Sequence, residues 1–507
     1  MSREKNRTRN SIERVSTWPA VARWGLELAA VPGLFLPRRA RDGVLDTLRF
    51  GLRVSPLTFV RPLERLGEEV IDAVEARLGV REDLDRRRRR ERRREENRRD
   101  DLEFADLAEP HRDGRRIVIL GAGYGGLRAA HDLALARGRG ELDAEIVLVD
   151  RHASHEVVTL LHQVAADTLP ARFAYLPLDN LLPVEELRRV RGEVTSFDLE
   201  EHLVETPSGA IHYDHLVVAL GSVPSIPPVP GLAEHALTLR TWADATRLRD
   251  HLREAFERAG RSSSEERRAL LTVVVAGGGF TGCQLAGELS HWLGALAEEN
   301  GVDAGEVRLI LIEAAERLLA SWKQKVGEEA ERVLRSKGIE IFLGRPLKEV
   351  GEGSLRFDGE ELTAQTTVWT GGVRAPKILE ENGFATGEEG RARVDRHLRA
   401  EGHPEVRVVG DSALAMDGEE ALPATAALAL RQGAYVAQDL VREFSGRSTR
   451  PYRPQDLGML VALGGTDAAG ELLGVPFEGL VGGLVKEGIE RGYVALLTYQ
   501  LPLAETF

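Results

Sequence analysis

The chain has 507 residues, 42% of them apolar and 52 of them glycine, which is more than one domain of sequence with enough apolar material for sizeable cores. Its formal net charge of −13 argues against nucleic acid as the main partner, because a phosphate-binding surface is usually basic. A single cysteine, Cys283, excludes an intramolecular disulfide and any mechanism that needs a cysteine pair in one chain, and it fits a reducing compartment.

Residues 1–110 read as a helical, charged extension. Residues 18–37 are apolar but broken by Pro32 and Gly33, and Arg38, Arg39 and Arg41 follow. Trp18, Trp24, Leu28 and Phe35 suit either a bilayer interface or the protein's own body. Arg23 and Glu27 interrupt the stretch, so it does not read as a secretory signal, and no apolar run reaches the roughly 18 residues of a membrane span. Residues 63–78 carry helical apolar spacing. Residues 85–101 alternate blocks of both signs and read as a solvated helix or a linker, with an anionic-lipid surface as the alternative.

At residue 115 the pattern changes to R-R-I-V-I-L-G-A-G-Y-G-G-L-R-A-A-H-D-L: a short apolar strand, a glycine turn and a helix. Gly121 permits the tight turn, Gly123 lets a pyrophosphate approach the backbone, and Gly126 lets the helix pack on the strand. The free N–H groups at the helix start then face an anion. The next strand, A-E-I-V-L-V-D, ends in a carboxylate at Asp150, 24 residues beyond Gly126, which completes the pattern of a dinucleotide site. His155 and His162 follow without metal-ligand spacing and read as structural.

Strand-like pieces run over residues 192–205, and Val217 to Leu220 form a buried strand before Gly221. The proline-rich residues 223–232 cannot join a central sheet and read as a crossover between domains. A helix over Trp242–Ala259 and a polar loop over residues 260–266 lead to a second copy of the opening pattern. Gly277, Gly279 and Gly282 repeat the triplet, and the partner strand ends at Glu313, 31 residues beyond Gly282. The longer gap fits an insertion over residues 297–306. Two copies mean two dinucleotides or one duplicated architecture. A carboxylate at Glu313 accepts both ribose hydroxyls and repels a 2′-phosphate, which favours NADH over NADPH, although Arg317 lies four residues on. Residues 366–376 are a strand entering a glycine turn, and residues 405–413 a strand ending at Gly410 and Asp411. Asp411 could accept a hydrogen bond from a flavin ribityl hydroxyl; a plain turn is the alternative.

Together these motifs resemble the two-dinucleotide-binding flavoproteins related to pyridine nucleotide-disulfide oxidoreductases, and within them the type II NADH dehydrogenases, or alternative NADH:quinone oxidoreductases. The resemblance covers residues 115–497, through G-A-G-Y-G-G-L, L-L-H-Q-V-A (160–165), V-V-A-L-G-S (217–222), G-G-G-F-T-G (277–282), V-W-T-G-G-V-R (368–374), V-V-G-D-S-A (408–413), A-L-R-Q-G-A-Y-V-A (429–437) and Y-R-P-Q-D-L-G-M-L-V-A-L-G (452–464). It implies an α/β fold with two Rossmann-like domains. The FAD domain would be split into residues 115–237 and 375–445 around an NADH domain of residues 238–374, with residues 446–507 as a C-terminal α/β region.

By resemblance, Gly121, Ala122, Gly123, Tyr124, Gly125 and Gly126 cradle the FAD pyrophosphate, Asp150 binds its adenosine ribose, and Ala219 and Gly221 lie beside the cofactor. Asp411 holds the ribityl chain, Gly277, Gly278, Gly279, Phe280, Thr281, Gly282 and Glu313 serve the NADH side, and Gly372 and Gly410 are further cofactor-binding positions. The implied activity takes a hydride from NADH onto FAD and passes two electrons to a quinone without pumping protons. No metal is implied. Gln284, Arg431 and Gln432 occupy the positions that carry the chemistry in the family, with departures. Gln284 stands where a carboxylate is usual, Ala427 and Arg431 where the A-Q-x-A-x-Q-Q-G motif has glutamines, and Leu220 where threonine is usual. A soluble NADH-dependent reductase with a protein electron carrier as acceptor, or a flavin-bound scaffold, are the alternatives.

The family's C-terminal region implies peripheral attachment to the cytoplasmic face of the cell membrane, and a cytoplasmic protein otherwise. Residues 477–497 could present Leu480, Leu484, Ile489, Val494 and Leu497 on one face of a helix, to a membrane, to a homodimer partner or to the N-terminal extension. Gly479, Gly482, Gly483 and Gly488 weaken that helix, at about 1 kcal/mol each against alanine.

Overall fold

Five consecutive buried residues make β1 (Arg116–Leu120), the strand on which the fold is built. The structure, a computed structural model, describes residues 105–498 apart from 112, 114, 184 and 456. The expectations for residues 1–104 lie outside the described residues. The last part of the expected extension, the short helix Ala105–Ala108, packs on the body: Leu107 is fully buried, and the Arg116 guanidinium donates to its carbonyl at 2.9 Å.

The chain turns from β1 into α1 (Tyr124–Gly138) and returns as β2 (Glu145–Asp150), parallel to β1. Next come β3 (Arg188–Arg191), parallel to β2, and β4 (His215–Val218), parallel to β1 on its other side. Strands buried on both faces read as unbroken apolar runs, which is why I-V-I-L and I-V-L-V were legible without alternation. The strand-like stretch after residue 192 becomes an antiparallel meander of Ser196–Asp198, Leu203–Thr206 and Gly209–His212.

The second sheet has the order β5 (Leu237–Thr238), β9 (Thr366–Trp369), β6 (Thr272–Ala276), β7 (Arg308–Ile312), β8 (Glu340–Phe342), all parallel. Between β5 and β6 runs α2 (Trp242–Ala259), closed at its start by a reciprocal capping box of Thr241 and Asp244. The loop expected over residues 260–266 is shorter than that. From Ser264 to Leu270 the chain is helical, with Glu265 and Glu266 in the first turn, where the helix dipole favours them, and with Leu270 buried as its anchor. Between β6 and β7 lies α3 (Phe280–Glu299). The proline-rich crossover stays out of both sheets: Val223 and Pro224 pair with Arg374 and Val373, so the two segments that leave and re-enter the first lobe form one ribbon.

Back in the first lobe, β10 (Arg399–Ala400) and β11 (His403–Val408) complete the sheet β10-β11-β4-β1-β2-β3. There follows α4 (Ala426–Phe444), which lies against α1 at two glycines: a side chain on Gly433 would overlap the Gly125 carbonyl. The C-terminal stretch forms an antiparallel sheet, β12 (Gly458–Ala462), β13 (Ala468–Leu472) and β14 (Val475–Glu478), and then α5 (Gly479–Thr498).

The expected single apolar face of α5 is divided. Leu480, Leu484 and Ile489 are exposed together with Val481, whereas Leu497 is buried and Val494 packs against the core. No helix of the described residues is long and apolar enough to cross a membrane.

Candidate active site

The two glycine turns share one construction. At the first, Gly121 has φ +96°, its N–H donates to the Val149 carbonyl at 2.8 Å, and a Cβ would press on the Ala219 carbonyl. At the second, Gly277 has φ +120° and its N–H donates to the Ile312 carbonyl at 2.8 Å. Gly126 and Gly282 face the carbonyls of Gly121 and Gly277 so closely that any side chain would overlap them. These four glycines answer to backbone contact. The middle glycines do not: Gly123 and Gly279 have ordinary φ, and a Cβ on either would meet nothing within 4 Å. Space is left over each turn at the start of a helix.

Those helices, α1 and α3, begin without a side-chain cap, whereas Thr241 caps α2 and Thr425 caps α4. An uncapped helix start in front of an open glycine is a place for a phosphate. The strand-end carboxylates repeat as well. Asp150 accepts the N–H groups of Ala122 and His152, each at 2.6 Å. Glu313 accepts those of Gly278 and Ala315. Each acid therefore ties the end of its strand to the glycine turn. Arg317 is engaged elsewhere: its guanidinium donates to the carbonyls of Leu319, Ala320 and Trp322. Cys283 is buried beneath the second turn, where its thiol points at the Gly278 carbonyl, and burial pushes that thiol far above its ordinary range. It stays protonated, which removes it as a nucleophile.

A third corner closes the first lobe. Gly221 and Gly410 both have positive φ, +69° each, and Ser412 donates to the Gly221 carbonyl at 2.9 Å. Asp411 accepts from the Ser222 hydroxyl at 2.6 Å and from Arg240 at 3.2 Å. Gln432, buried on α4, accepts the Gly410 N–H at 2.6 Å. Gly372 lies on the crossover with φ +118°, and its carbonyl accepts the Ser225 N–H at 3.0 Å.

Of the three residues expected to carry the chemistry, Gln432 meets the Asp411 corner through Gly410. Its neighbour Arg431 donates instead to the Gln455 carbonyl, at 3.1 Å, in the segment leading to β12. Gln284 is half-buried on the second turn of α3. One turn farther on, Glu288 is buried and accepts from the Thr168 hydroxyl at 2.9 Å, and burial raises its carboxyl above the usual range. Phe280 and Thr281 open α3 at the second turn.

Three participants carried no signal in the sequence. Arg240 joins the Asp411 corner from beyond the proline-rich crossover. Tyr493 of α5 is buried against the first turn, its ring stacked on Tyr124 with centroids 5.1 Å apart and its hydroxyl 3.0 Å from His155 Nε2. Glu490, also buried, pairs with Lys486 one turn earlier. His155 and His162, read as structural, are both buried, and burial depresses them to about 4 and about 3. His162 Nε2 has no hydrogen-bond partner among the described residues.

The pyridine nucleotide-disulphide oxidoreductase family model matches residues 115–433. The chain is similar to the type II NADH:quinone oxidoreductase of Staphylococcus aureus, 32% identical over 385 residues that cover 75% of this chain and 95% of that protein. Among solved structures it is similar in fold to NDH2 from Plasmodium falciparum in complex with NADH, with a TM-score of 0.66, 15% identity, and coverage of 77% of this chain and 99% of that one. It is similar in fold, too, to the sulfide:quinone oxidoreductase from Aquifex aeolicus, with a TM-score of 0.64, 18% identity, and coverage of 76% and 92%. The family match spans more than half of the chain and the Staphylococcus aureus protein is covered almost end to end, so this chain belongs to the pyridine nucleotide-disulphide oxidoreductase family, among the type II NADH:quinone oxidoreductases.

Proposed function

We propose that the protein oxidises NADH and passes two electrons to a quinone, with FAD at the first glycine turn and NADH at the second. The observation that carries this is the repeated construction: two open middle glycines, each at an uncapped helix start and each braced by its own strand-end carboxylate. The overall reaction, NADH + H⁺ + quinone → NAD⁺ + quinol, takes up one proton per turnover and pumps none. FAD, when bound, supplies the two-electron acceptor for the hydride.

The chain supplies placement. The N–H groups opening α1 and α3 hold the two pyrophosphates, and Asp150 and Glu313 take the adenosine riboses. Glu313 also repels a 2′-phosphate, and Arg317 is committed to three backbone carbonyls, so both favour NADH. Gly221, Gly410 and Asp411 border the flavin side, with Ala219 behind the turn and Gly372 on the nicotinamide side. In this reading residues 115–237 and 375–445 form the FAD domain and residues 238–374 the NADH domain. Gln432 keeps the Asp411 corner in shape through Gly410, and Gln284 offers an amide where a carboxylate would exchange a proton.

The exposed Leu480, Val481, Leu484 and Ile489 of α5 support peripheral attachment to a membrane; the face proposed is the cytoplasmic one. Residues 446–507 would then be the membrane-associated region.

Anaerobic mixing with NADH followed by a short-chain quinone tests the reading. The flavin absorbance should bleach and then return. Bleaching without return on quinone would leave a soluble reductase for a protein carrier, a reading that Ala427 and Arg431 in the quinone motif would then favour. No bleaching would leave a flavin-bound scaffold.

A further inference from the structure

His155 and Tyr493 lie 338 positions apart in sequence and meet behind the first glycine turn. His155 Nδ1 is 2.8 Å from the Ala122 carbonyl oxygen, and its Nε2 is 3.0 Å from the Tyr493 hydroxyl. A carbonyl only accepts, so Nδ1 carries the hydrogen. In a neutral ring Nε2 then accepts, and Tyr493 donates to it. The ring is neutral because burial holds its pKa at about 4. The three rings pack tightly: His155 is edge-on to Tyr124 at 5.1 Å, and Tyr493 is stacked on Tyr124 at the same distance.

This contact bears on one peptide. The Ala122 carbonyl belongs to the unit whose N–H is that of Gly123. In a trans peptide the two point in opposite directions. Held toward His155, the carbonyl turns the Gly123 N–H to the other side. Freed, a peptide beside a glycine can flip at small cost, and its oxygen would then confront a phosphate. The preceding peptide is pinned independently, by the Ala122 N–H on Asp150.

We propose that His155 is a positioning residue of the FAD site, fixing the Ala122–Gly123 peptide with its N–H toward the cofactor's pyrophosphate, and that Tyr493, by donating to Nε2, holds the His155 ring in the place where it does so. The C-terminal helix α5 is thereby part of the flavin site. The inference rests on FAD occupying the first turn.

The test compares wild type with His155→Ala, His155→Asn and Tyr493→Phe, each stripped of flavin and titrated with FAD by fluorescence, alongside thermal unfolding of the apoproteins. Loss of one buried hydrogen bond that aligns the loop should weaken FAD binding about tenfold in His155→Ala. His155→Asn keeps an N–H at the place of Nδ1 and should recover affinity to within about threefold of wild type. Tyr493→Phe keeps the stacked ring and loses only the donor, for a loss of about threefold. The His155→Ala apoprotein should unfold at a lower temperature, because it leaves a cavity and an unpaired Tyr493 hydroxyl, while His155→Asn and Tyr493→Phe should lie closer to wild type. Wild-type affinity in His155→Ala overturns the inference, as does an asparagine variant no better than alanine when both apoproteins are folded. Should His155→Ala not fold, Tyr493→Phe decides: unchanged affinity overturns the inference. A wild-type protein that binds no FAD overturns the underlying site reading instead.

Discussion

At the scale of residues, Gly123 and Gly126 stand three positions apart and face opposite constraints. A methyl group on Gly126 would overlap the Gly121 carbonyl, whereas one on Gly123 would enter open space. Gly126→Ala should therefore lose the turn, and with it the flavin and much of the fold's thermal stability. Gly123→Ala should fold as wild type and lose only FAD affinity, because the methyl intrudes where a phosphate would lie. Flavin content after purification, read beside circular-dichroism melting, checks both; a flavin-replete Gly126→Ala protein would contradict the packing argument. Glu313 makes a second case. In the proposed reading Glu313 carries the charge that opposes a 2′-phosphate; Glu313→Gln removes it, so kcat/KM for NADH should fall by roughly tenfold or more while the NADPH-to-NADH ratio rises. An unchanged ratio in steady-state assays would free Glu313 of that role. The two glycine turns, each with an acid ending its partner strand, were legible because their constraints are local, each triplet next to its strand. The engagement of Arg317 with Leu319, Ala320 and Trp322 was not, since nothing in the run of residues says where a long side chain turns. Arg240, from across the crossover, was hidden for the same reason.

At the scale of elements, α5 shows how a helix forms despite its composition. Its glycines argue for a weak helix, each about 1 kcal/mol poorer than alanine. Two of them are explained by contact. A Cβ on Gly483 would overlap the Thr466 carbonyl and one on Gly482 would lie 3.1 Å from the Ala468 carbonyl, so the helix needs them to lie on the backbone around β13. Gly488 meets nothing within 4 Å. Opposite outcomes follow. Gly488→Ala should stabilise the protein by about 1 kcal/mol through helix propensity alone. Gly483→Ala should destabilise it, because the whole helix must move off the sheet. Denaturant midpoints measured side by side would refute the account if both shifts had the same sign. Helical spacing announced α5 while hiding its seat: Leu480, Leu484 and Ile489 point outward, and the buried side is made by Glu490, Tyr493 and Leu497. A buried glutamate and tyrosine do not read as core. The helix at Ser264–Leu270 was missed because its sequence is polar except for its last residues, and tertiary packing rather than apolar periodicity holds it.

For the whole molecule, the duplicated strand–turn–helix was legible because it repeats itself, and the split first sheet followed from the family resemblance. The seating of α5 against the first lobe was not legible, since it depends on pairs such as His155 with Tyr493. That seating leaves the fold with buried histidines whose neutrality has a cost in acid. His155 and His162 are held at about 4 and about 3 by burial, with Lys486 adding to the depression at His162, while an unfolded histidine titrates near 6.5. As pH falls from about 6.5 toward 4, the unfolded chain takes up protons that the folded chain refuses. Stability is therefore present in full above 6.5 and declines on acidification, by at most about 1.4 kcal/mol per pH unit for each histidine. Glu288 and Glu490, both raised by burial, oppose this, because protonating them relieves a buried charge and favours the folded state at lower pH. The raw acid curve thus mixes both signs, and a substitution is needed to separate them. His155→Asn keeps the hydrogen bond to Ala122 and removes the titration. Its stability should decline less steeply than that of wild type, by up to about 1.4 kcal/mol per unit between pH 6 and 4.5, while the curves run parallel above pH 7. Denaturant titrations across that range measure the difference, and parallel curves throughout would show that His155 is not held neutral in the folded chain.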